Sequence, residues 1–358
     1  MRSVLVVVTR QIGDVLLTTP LVHAARERWP EAAIDVLGFA GTLGMLRGNP
    51  DVRTLIEVPA RPGLRATWAL ARRLWRRYDL ALVADPGDRA HLIGWVAARE
   101  RSGLLPAESG SNWWKRKLLR HGVTIGGDQG ETHVVPEKME LLAAWGGGTG
   151  APQLVGPAGD PLPAPLASRL APGYVVVHTP SMWVYKQWPE EHFRKLIALL
   201  ALAGRQVVLT GGPGAGDRAT VAAMEGAAPP EQLLDAGLLS FNQVATLLRG
   251  AALYIGPDTS VSHLAAACGT PVLAIFGPTN PRRWAPWPGG EQPVRFERRR
   301  PAQTIGQVTL LQAPLPCVPC GRAGCEDHRD SRADCLPAIL PERVAAKALE
   351  LLDTAHGA

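Results

Sequence analysis

The chain contains no run of about 18 apolar residues, so no segment reads as a membrane-spanning helix. Its first apolar run, Val4 to Val8, ends at Thr9-Arg10 without a small-residue cleavage motif, so it reads as a buried strand and not as an export signal, and a cytoplasmic protein is expected. No Gly-x-Gly-x-x-Gly follows that strand, which argues against a dinucleotide site at the amino terminus. No Asp-x-Asp pair stands at a strand end, so nothing calls for Mg²⁺ at a diphosphate. Helix-turn-helix, RRM and zinc-finger spacings are missing, and nucleic acid is not expected as a partner. Five cysteines in 358 residues do not make a disulfide framework.

What is present is the composition of a globular protein, 46% hydrophobic and 20% charged, with length enough for two cores. A net charge of +6 asks for an anionic partner, either a phosphorylated small molecule or an anionic membrane surface. A helix is expected from about Val135 to Trp145, and the clearest linker follows it, beginning at Gly146-Gly-Gly-Thr-Gly and continuing, rich in Pro and Gly, to Pro172-Gly173.

Before that linker, apolar runs at 4–8, 33–37, 54–58 and 80–84 alternate with helical patterns, which implies an α/β, doubly wound sheet. Pro20 either kinks the first helix or marks a late start. In the helix from Leu64, the residues Leu64, Trp68, Ala71, Trp75 and Tyr78 share one face and are predicted to be core, while Arg65, Arg72 and Arg76 line another. Arg61, Arg65, Lys115, Arg116, Lys117 and Arg120 read as a solvated face or as a surface for an acidic acceptor. The pair Trp113-Trp114 suits a membrane interface. Asp14, just beyond the first strand, reads as a carboxylate offsetting a helix dipole or as a chemical group at a strand end.

After the linker, a strand at 174–178 leads to a loop carrying Thr179, Ser181 and Lys186, and Pro189 opens a helix that turns Phe193, Leu196, Ile197 and Leu200 inward. The strand at 206–210 runs into Gly211-Gly-Pro-Gly-Ala-Gly-Asp217, a turn through which backbone can approach a ligand. The most informative stretch is a βαβ unit: a strand at 251–255, Gly256-Pro-Asp258, a helix at 259–268 and a strand at 272–276. Asp258, Thr259 and Ser260 are good N-cap residues, and a helix start beyond a strand suits a phosphate. His263, one turn on, adds a donor or is a structural histidine. Cys317, Cys320, Cys325 and Cys335 are spaced as a structural zinc or iron knuckle, with His328 as a substitute ligand, or are free thiols of a loop. Cys268 stays outside that set as a small buried residue.

Three segments together resemble one family: Arg10-Gln-Ile-Gly-Asp-Val-Leu-Leu-Thr-Thr-Pro; Lys186-Gln-Trp-Pro; and Gly256-Pro-Asp-Thr-Ser-Val-Ser-His through Phe276-Gly-Pro-Thr. They are similar to the lipopolysaccharide heptosyltransferases of glycosyltransferase family 9. The resemblance implies a GT-B fold of two Rossmann-like domains facing across a cleft. An acceptor-binding domain is expected at 1–160 and a donor-binding domain at 161–340, with a terminal helix at 341–358 crossing back to the first domain. It further implies an inverting transfer of heptose from ADP-heptose to an anionic lipid A–Kdo acceptor, with Asp14 as general base and Lys186 stabilising the leaving diphosphate. Thr179, Ser181, Gly212, Asp217, Asp258, Thr259, Ser260 and His263 are the expected donor residues, and Arg10, Arg61, Arg65, Lys115 and Arg120 the acceptor residues. No cofactor is expected to be required, and peripheral contact with the inner membrane is expected. Rival readings keep the same motifs: a protein-modifying enzyme or one using another sugar nucleotide, and a non-catalytic nucleotide-sugar binder.

Overall fold

The computed structural model describes residues 1–107, 112–126, 128, 130–289 and 295–356. Two compact units divide between Ala158 and Gly159, the second continuing to the end of the chain.

The first unit runs β1 (Ser3–Val8), α1 (Ile12–Leu16), α2 (Thr19–Arg28), β2 (Ala33–Phe39), β3 (Thr54–Val58), α3 (Leu64–Leu74), β4 (Tyr78–Val83), α4 (Asp88–Ala97), β5 (Ala98–Leu105), α5 (Trp113–Leu118), β6 (His121–Thr124) and α6 (Val134–Met139). Its sheet has the order β3-β2-β1-β4-β5-β6, with every pairing parallel. Val4 to Val8 are all buried because β1 is central, its Val4 in register with Ile34 on one side and Leu80 on the other. The chain moves outward from β1 to β3, then returns to β4 and proceeds to β6. Right-handed crossovers therefore put α1 and α2 on one face of the sheet and α3, α4 and α5 on the other. On that second face α3 lies beside α4, and α4 beside α5.

Two local expectations are refined. Pro20 opens α2 in its first turn after the N-cap Thr18, so the first helix is two helices. The helix expected over 135–145 is α6 followed by a 3₁₀ segment, Glu140–Trp145, stopped by Gly146 at φ 67°.

A third expectation is overturned. Most of the α3 stripe is not core: Leu64 is 90% exposed, Trp68 64% and Trp75 57%, and Ala71 is half-buried; of the predicted face Tyr78 alone is buried, in β4, beside Leu74. The helix reaches the core through Leu70 and Leu74, and the two tryptophans predicted to be inside are exposed to solvent.

The second unit runs α7 (Ala164–Ala167), β7 (Val175–His178), α8 (Glu190–Leu202), β8 (Val207–Thr210), α9 (Ala215–Ala222), β9 (Leu233–Asp235), α10 (Phe241–Arg249), β10 (Leu253–Pro257), α11 (Ser260–Ala267), β11 (Val272–Phe276), α12 (Pro281–Trp284), β12 (Ala302–Ile305), β13 (Val308–Gln312) and α13 (Pro341–His356). Its sheet has the order β12-β13-β11-β10-β7-β8-β9, parallel except for the edge strand β12. Phe193, Leu196, Ile197 and Leu200 of α8 are buried in one core with Val344, Ala345, Ala348 and Leu352 of α13. The apolar stripe of α13 is used inside the second unit, against α8, and Trp188 Nε1 fixes the approach by donating to Ile339 O at 3.0 Å.

Candidate active site

In the second unit β10, β7 and β8 are neighbours, so their carboxyl ends gather Asp258, His178 with Thr179, and Thr210 with Gly211. The loop from β7 to α8 turns Lys186 back over this end, where its Nζ donates to Asp258 Oδ2 at 2.6 Å. Gln187, next to it, pins the loop by donating to Thr179 O at 2.8 Å. Burial pushes the Asp258 carboxyl up, but the Lys186 ammonium and its hydrogen bond, with His263 and the Thr279 side chain nearby, carry it below its ordinary value. Asp258 is therefore an anion held by a cation, and the pair sits where α11 begins.

Thr259 is the N-cap of α11, in extended conformation, and its side chain makes no capping bond. The first-turn N–H groups of α11 are thus not capped by that hydroxyl, and they keep their capacity for an anion. Ser260 is the first helical residue and is half-buried; Ser262 is committed elsewhere, donating to Pro257 O at 2.5 Å. Thr179 Oγ1 is buried and makes no hydrogen bond among the described residues. Ser181 Oγ accepts from Trp183 N at 3.4 Å. The Gly212 position has a more local cause: a Cβ there would collide with the carboxylate of Asp217, which folds back over the turn from the start of α9. His178, which the sequence did not single out, shares a hydrogen bond with Thr210 Oγ1 at 3.0 Å, and burial takes its imidazole down to about 4, so it is neutral.

In the first unit Asp14 lies in the first turn of α1, just beyond β1, with Arg10 Nε 3.9 Å from its Oδ2. Two residues that sequence reasoning missed complete this end of the sheet. Asp85, two residues after β4, accepts from the Thr9 hydroxyl, from Thr9 N at 3.2 Å and from Gly87 N at 2.8 Å, tying the ends of β1 and β4 together. Lys138 of α6 is buried, and its Nζ donates to Asp14 O and to Thr18 Oγ1, each at 2.8 Å. Burial takes the Lys138 ammonium down to about 8, against the pull of the Asp14 charge. Asp85 carried a signal, because Ala-Asp-Pro-Gly after a buried strand repeats the logic of Gly-Pro-Asp at β10. Lys138 carried none beyond its apolar flanks Val134, Val135 and Met139.

The expected acceptor residues divide. Arg61 and Arg65 are exposed around the start of α3. Arg120 pairs with Glu100 at 3.2 Å and lies over the Trp145 ring. Lys115 is a correction: it is 3% exposed, and its Nζ is used internally on Pro86 O at 2.8 Å and Asp88 Oδ1 at 2.6 Å. The four cysteines divide in exposure. Cys317, Cys320 and Cys325 are exposed and Cys335 is buried; burial first, then the neighbouring Cys320, Cys325 and Cys317, push the Cys335 thiol up to about 12. The sulfurs are neighbours, but among the described residues no group of three or more His, Cys, Asp or Glu is arranged to hold a metal ion.

The profile described as "Glycosyltransferase family 9 (heptosyltransferase)" matches residues 67–309. The chain is 30% identical over 291 residues to lipopolysaccharide heptosyltransferase 3 of Escherichia coli K12, covering 78% of this chain and 83% of that protein. It is 29% identical to lipopolysaccharide heptosyltransferase 1 of Pseudomonas aeruginosa, with 96% of each covered. Among solved structures it is similar to the E. coli ADP-heptose LPS heptosyltransferase II, with TM-score 0.71, 20% identity, and 99% and 100% of the two chains covered. That likeness shows a GT-B fold, two Rossmann-like domains in one chain. With a strand-end carboxylate in one unit and a cation-held helix start in the other, and with that profile spanning more than half of its length, the chain is a glycosyltransferase and belongs to glycosyltransferase family 9, the heptosyltransferases.

Proposed function

We propose that this enzyme transfers a heptose from ADP-heptose to a hydroxyl of an anionic, lipopolysaccharide-type acceptor, with inversion at the anomeric carbon. The observation that carries the donor half is the Lys186–Asp258 pair at the start of α11. A cation, a helix start and an unsatisfied buried hydroxyl on Thr179 are the groups that a diphosphate needs. The names of the relatives supply the sugar, the nucleotide and lipopolysaccharide. Expected residues of this half are Thr179, Ser181, Lys186, Asp258, Thr259, Ser260 and His263, with Gly212 and Asp217 shaping the adjoining turn.

In the step itself, Asp14 takes the proton of the acceptor hydroxyl and the freed oxygen attacks the anomeric carbon. The bond from that carbon to the diphosphate oxygen breaks, and ADP leaves with the electron pair. Lys186 and the α11 N–H groups stabilise the charge that collects on the leaving diphosphate. The second pillar of this reading is Asp14, in the first turn of α1 just beyond β1, where Lys138 Nζ and Thr18 Oγ1 donate to its main-chain oxygen and hold that turn in place. Among the described residues no helix is long and apolar enough to cross a membrane, and we place the reaction at the cytoplasmic face of the inner membrane.

The test is release of ADP from ADP-heptose by the purified protein, with and without a lipid A–Kdo acceptor. Acceptor-dependent release is expected, and Asp14→Asn should lower turnover about 10²–10⁴-fold with ADP-heptose affinity kept. Full turnover in that variant would reduce Asp14 to a helix carboxylate. Transfer to a protein, or from another sugar nucleotide only, would replace the substrates proposed here, and tight donor binding without transfer would make the chain a binding protein.

A further inference from the structure

The layer formed by α3, α4 and α5 carries an unusual surface. Leu64, Trp68 and Trp75 in and just after α3, Leu92 and Trp95 in α4, and Trp113 in α5 are all exposed large hydrophobics. The crossover geometry puts these helices on one face of the first sheet, side by side. Single exposed apolar residues are ordinary, but six in one helical layer are a patch. Leu64, Arg65, Thr67, Trp68 and Ala71 line an open groove at one end of it.

The charge around this patch is predominantly positive, and the one acid of the three helices, Asp88 at the start of α4, is already paired with Lys115. From Val58 to Tyr78 the chain has six arginines and no acidic residue, and from Asn112 to Thr124 it has Arg116, Lys117 and Arg120 on the surface, besides the buried Lys115, and again no acidic residue. Several of these cations lie on the exposed rings: Arg72 over Trp68 at 5.1 Å, Arg76 over Trp75 at 5.6 Å and Lys117 over Trp113 at 4.9 Å. Cations stacked on outward-facing indoles give an apolar body with a positive rim, which is the pattern of a surface that lies in the headgroup region of a bilayer.

We propose that the α3–α4–α5 layer docks on an anionic lipid bilayer, with Trp68, Trp75 and Trp113 at headgroup level and the arginines of α3 on lipid phosphates. A second copy of this chain is a poor occupant, because an isologous contact would set the same arginines against each other, and the only acid of the three helices, Asp88, is already paired with Lys115. A bilayer supplies both what the indoles need and the negative charge, each basic residue near such a surface adding on the order of 1 kcal/mol, or about fivefold in binding. The proposal is independent of the transfer reaction, since it asks for neither sugar nucleotide nor acceptor.

The test is co-sedimentation of the full chain with vesicles of phosphatidylethanolamine and phosphatidylglycerol, against vesicles of phosphatidylcholine alone, with brominated lipids as a quencher of tryptophan fluorescence. Binding to the anionic vesicles, quenching there, and loss of binding at high salt are expected. The double variant Trp68→Ser/Trp75→Ser should lose about tenfold or more in binding and most of the quenching, and Arg72→Glu/Arg73→Glu about thirtyfold or more. Because these side chains are exposed, thermal unfolding of the variants should match the parent, which separates lost docking from lost fold. A parent that stays in the supernatant, equal binding to phosphatidylcholine, tryptophan variants that bind as the parent does, or a stable dimer that buries the patch would each overturn the proposal. Because the vesicles carry no acceptor, none of these outcomes bears on whether the enzyme transfers heptose.

Discussion

Helices α3 and α8 present the same pattern in sequence and meet opposite fates in the fold. Both are amphipathic, with 11 and 13 residues, and both carry large apolar side chains at helical spacing. In α8 the stripe of Phe193, Leu196, Ile197 and Leu200 is fully buried between β-sheet and α13. In α3 Leu64 and Trp68 face solvent, with Trp75 just beyond the helix equally open. Periodicity reports that a helix has an apolar face; it does not report whether the chain has anything left to cover it. For α8 the cover comes from α13, some 150 residues later in the chain. For α3 no such cover is supplied by its neighbour α4, and the side chains that differ are telling: Leu, Ile and Phe in α8, but Trp and Arg, the residues of wet apolar surfaces, in α3.

Truncation should break the symmetry of the two patterns at once. Phe193→Ala is expected to cost about 3–5 kcal/mol of stability, since it removes a fully buried ring packed edge-on against Trp188 at 4.8 Å between centroids. Trp68→Ala, although it deletes a larger side chain, should stay within about 0.5 kcal/mol. Denaturant titrations of the two variants measure both. Comparable losses would mean that α3 is covered in solution.

The same distinction explains what could be read in advance. Strands buried on both faces were legible as continuous apolar runs: β11 falls on Val272–Phe276 as expected, and β7 within one residue. Strand β5 was not, because its Ala-Arg-Glu-Arg entry breaks the run, and β9, three residues long, is below what any periodicity can register. Helix α10 escaped notice although Ser240 and Gln243 form a capping box that was there to be seen. At the site, the donor segment was legible because strand, turn and N-cap residues are contiguous. Lys138 was not, because it acts on Asp14 and Thr18 from about 120 residues away, and its meaning lies in burial alone.

That burial gives a second prediction, which sets a covered lysine against a lysine that is not. The Lys138 pKa falls from 10.5 to about 8 in the folded protein. Between those values the unfolded chain holds more proton than the folded one, so stability rises with pH across the window, and the desolvation cost is fully present below it. Relative to Lys138→Met, which lacks the titrating group, the parent should therefore gain up to about 3 kcal/mol as pH goes from about 8 to 10.5. Stability differences between the two proteins, measured by denaturant at several pH values, test this. A flat difference would mean that water reaches the ammonium, and the contrast with Lys186 would disappear.

Lys186, partly open to solvent and paired with Asp258, should behave in the other way, through binding. Lys186→Ala is expected to weaken ADP by about 1.5–3 kcal/mol and adenosine hardly at all, because what is lost is a charged hydrogen bond to the diphosphate. The same substitution strands Asp258, so folding must be followed beside it. The folded pKa of Asp258 lies below its ordinary 3.8, and the pair therefore contributes stability that is fully present above 3.8 and is lost as pH falls through the lower, folded value. With the ammonium gone, the buried carboxyl rises, and acid unfolding should begin at a higher pH than in the parent. Calorimetric titration with the two ligands and an acid-unfolding series separate the roles. If acid unfolding shifts while ADP and adenosine weaken equally, Lys186 holds the loop in place and does not touch the phosphates; if ADP alone weakens, the cation that fixes Asp258 is the one that the donor meets.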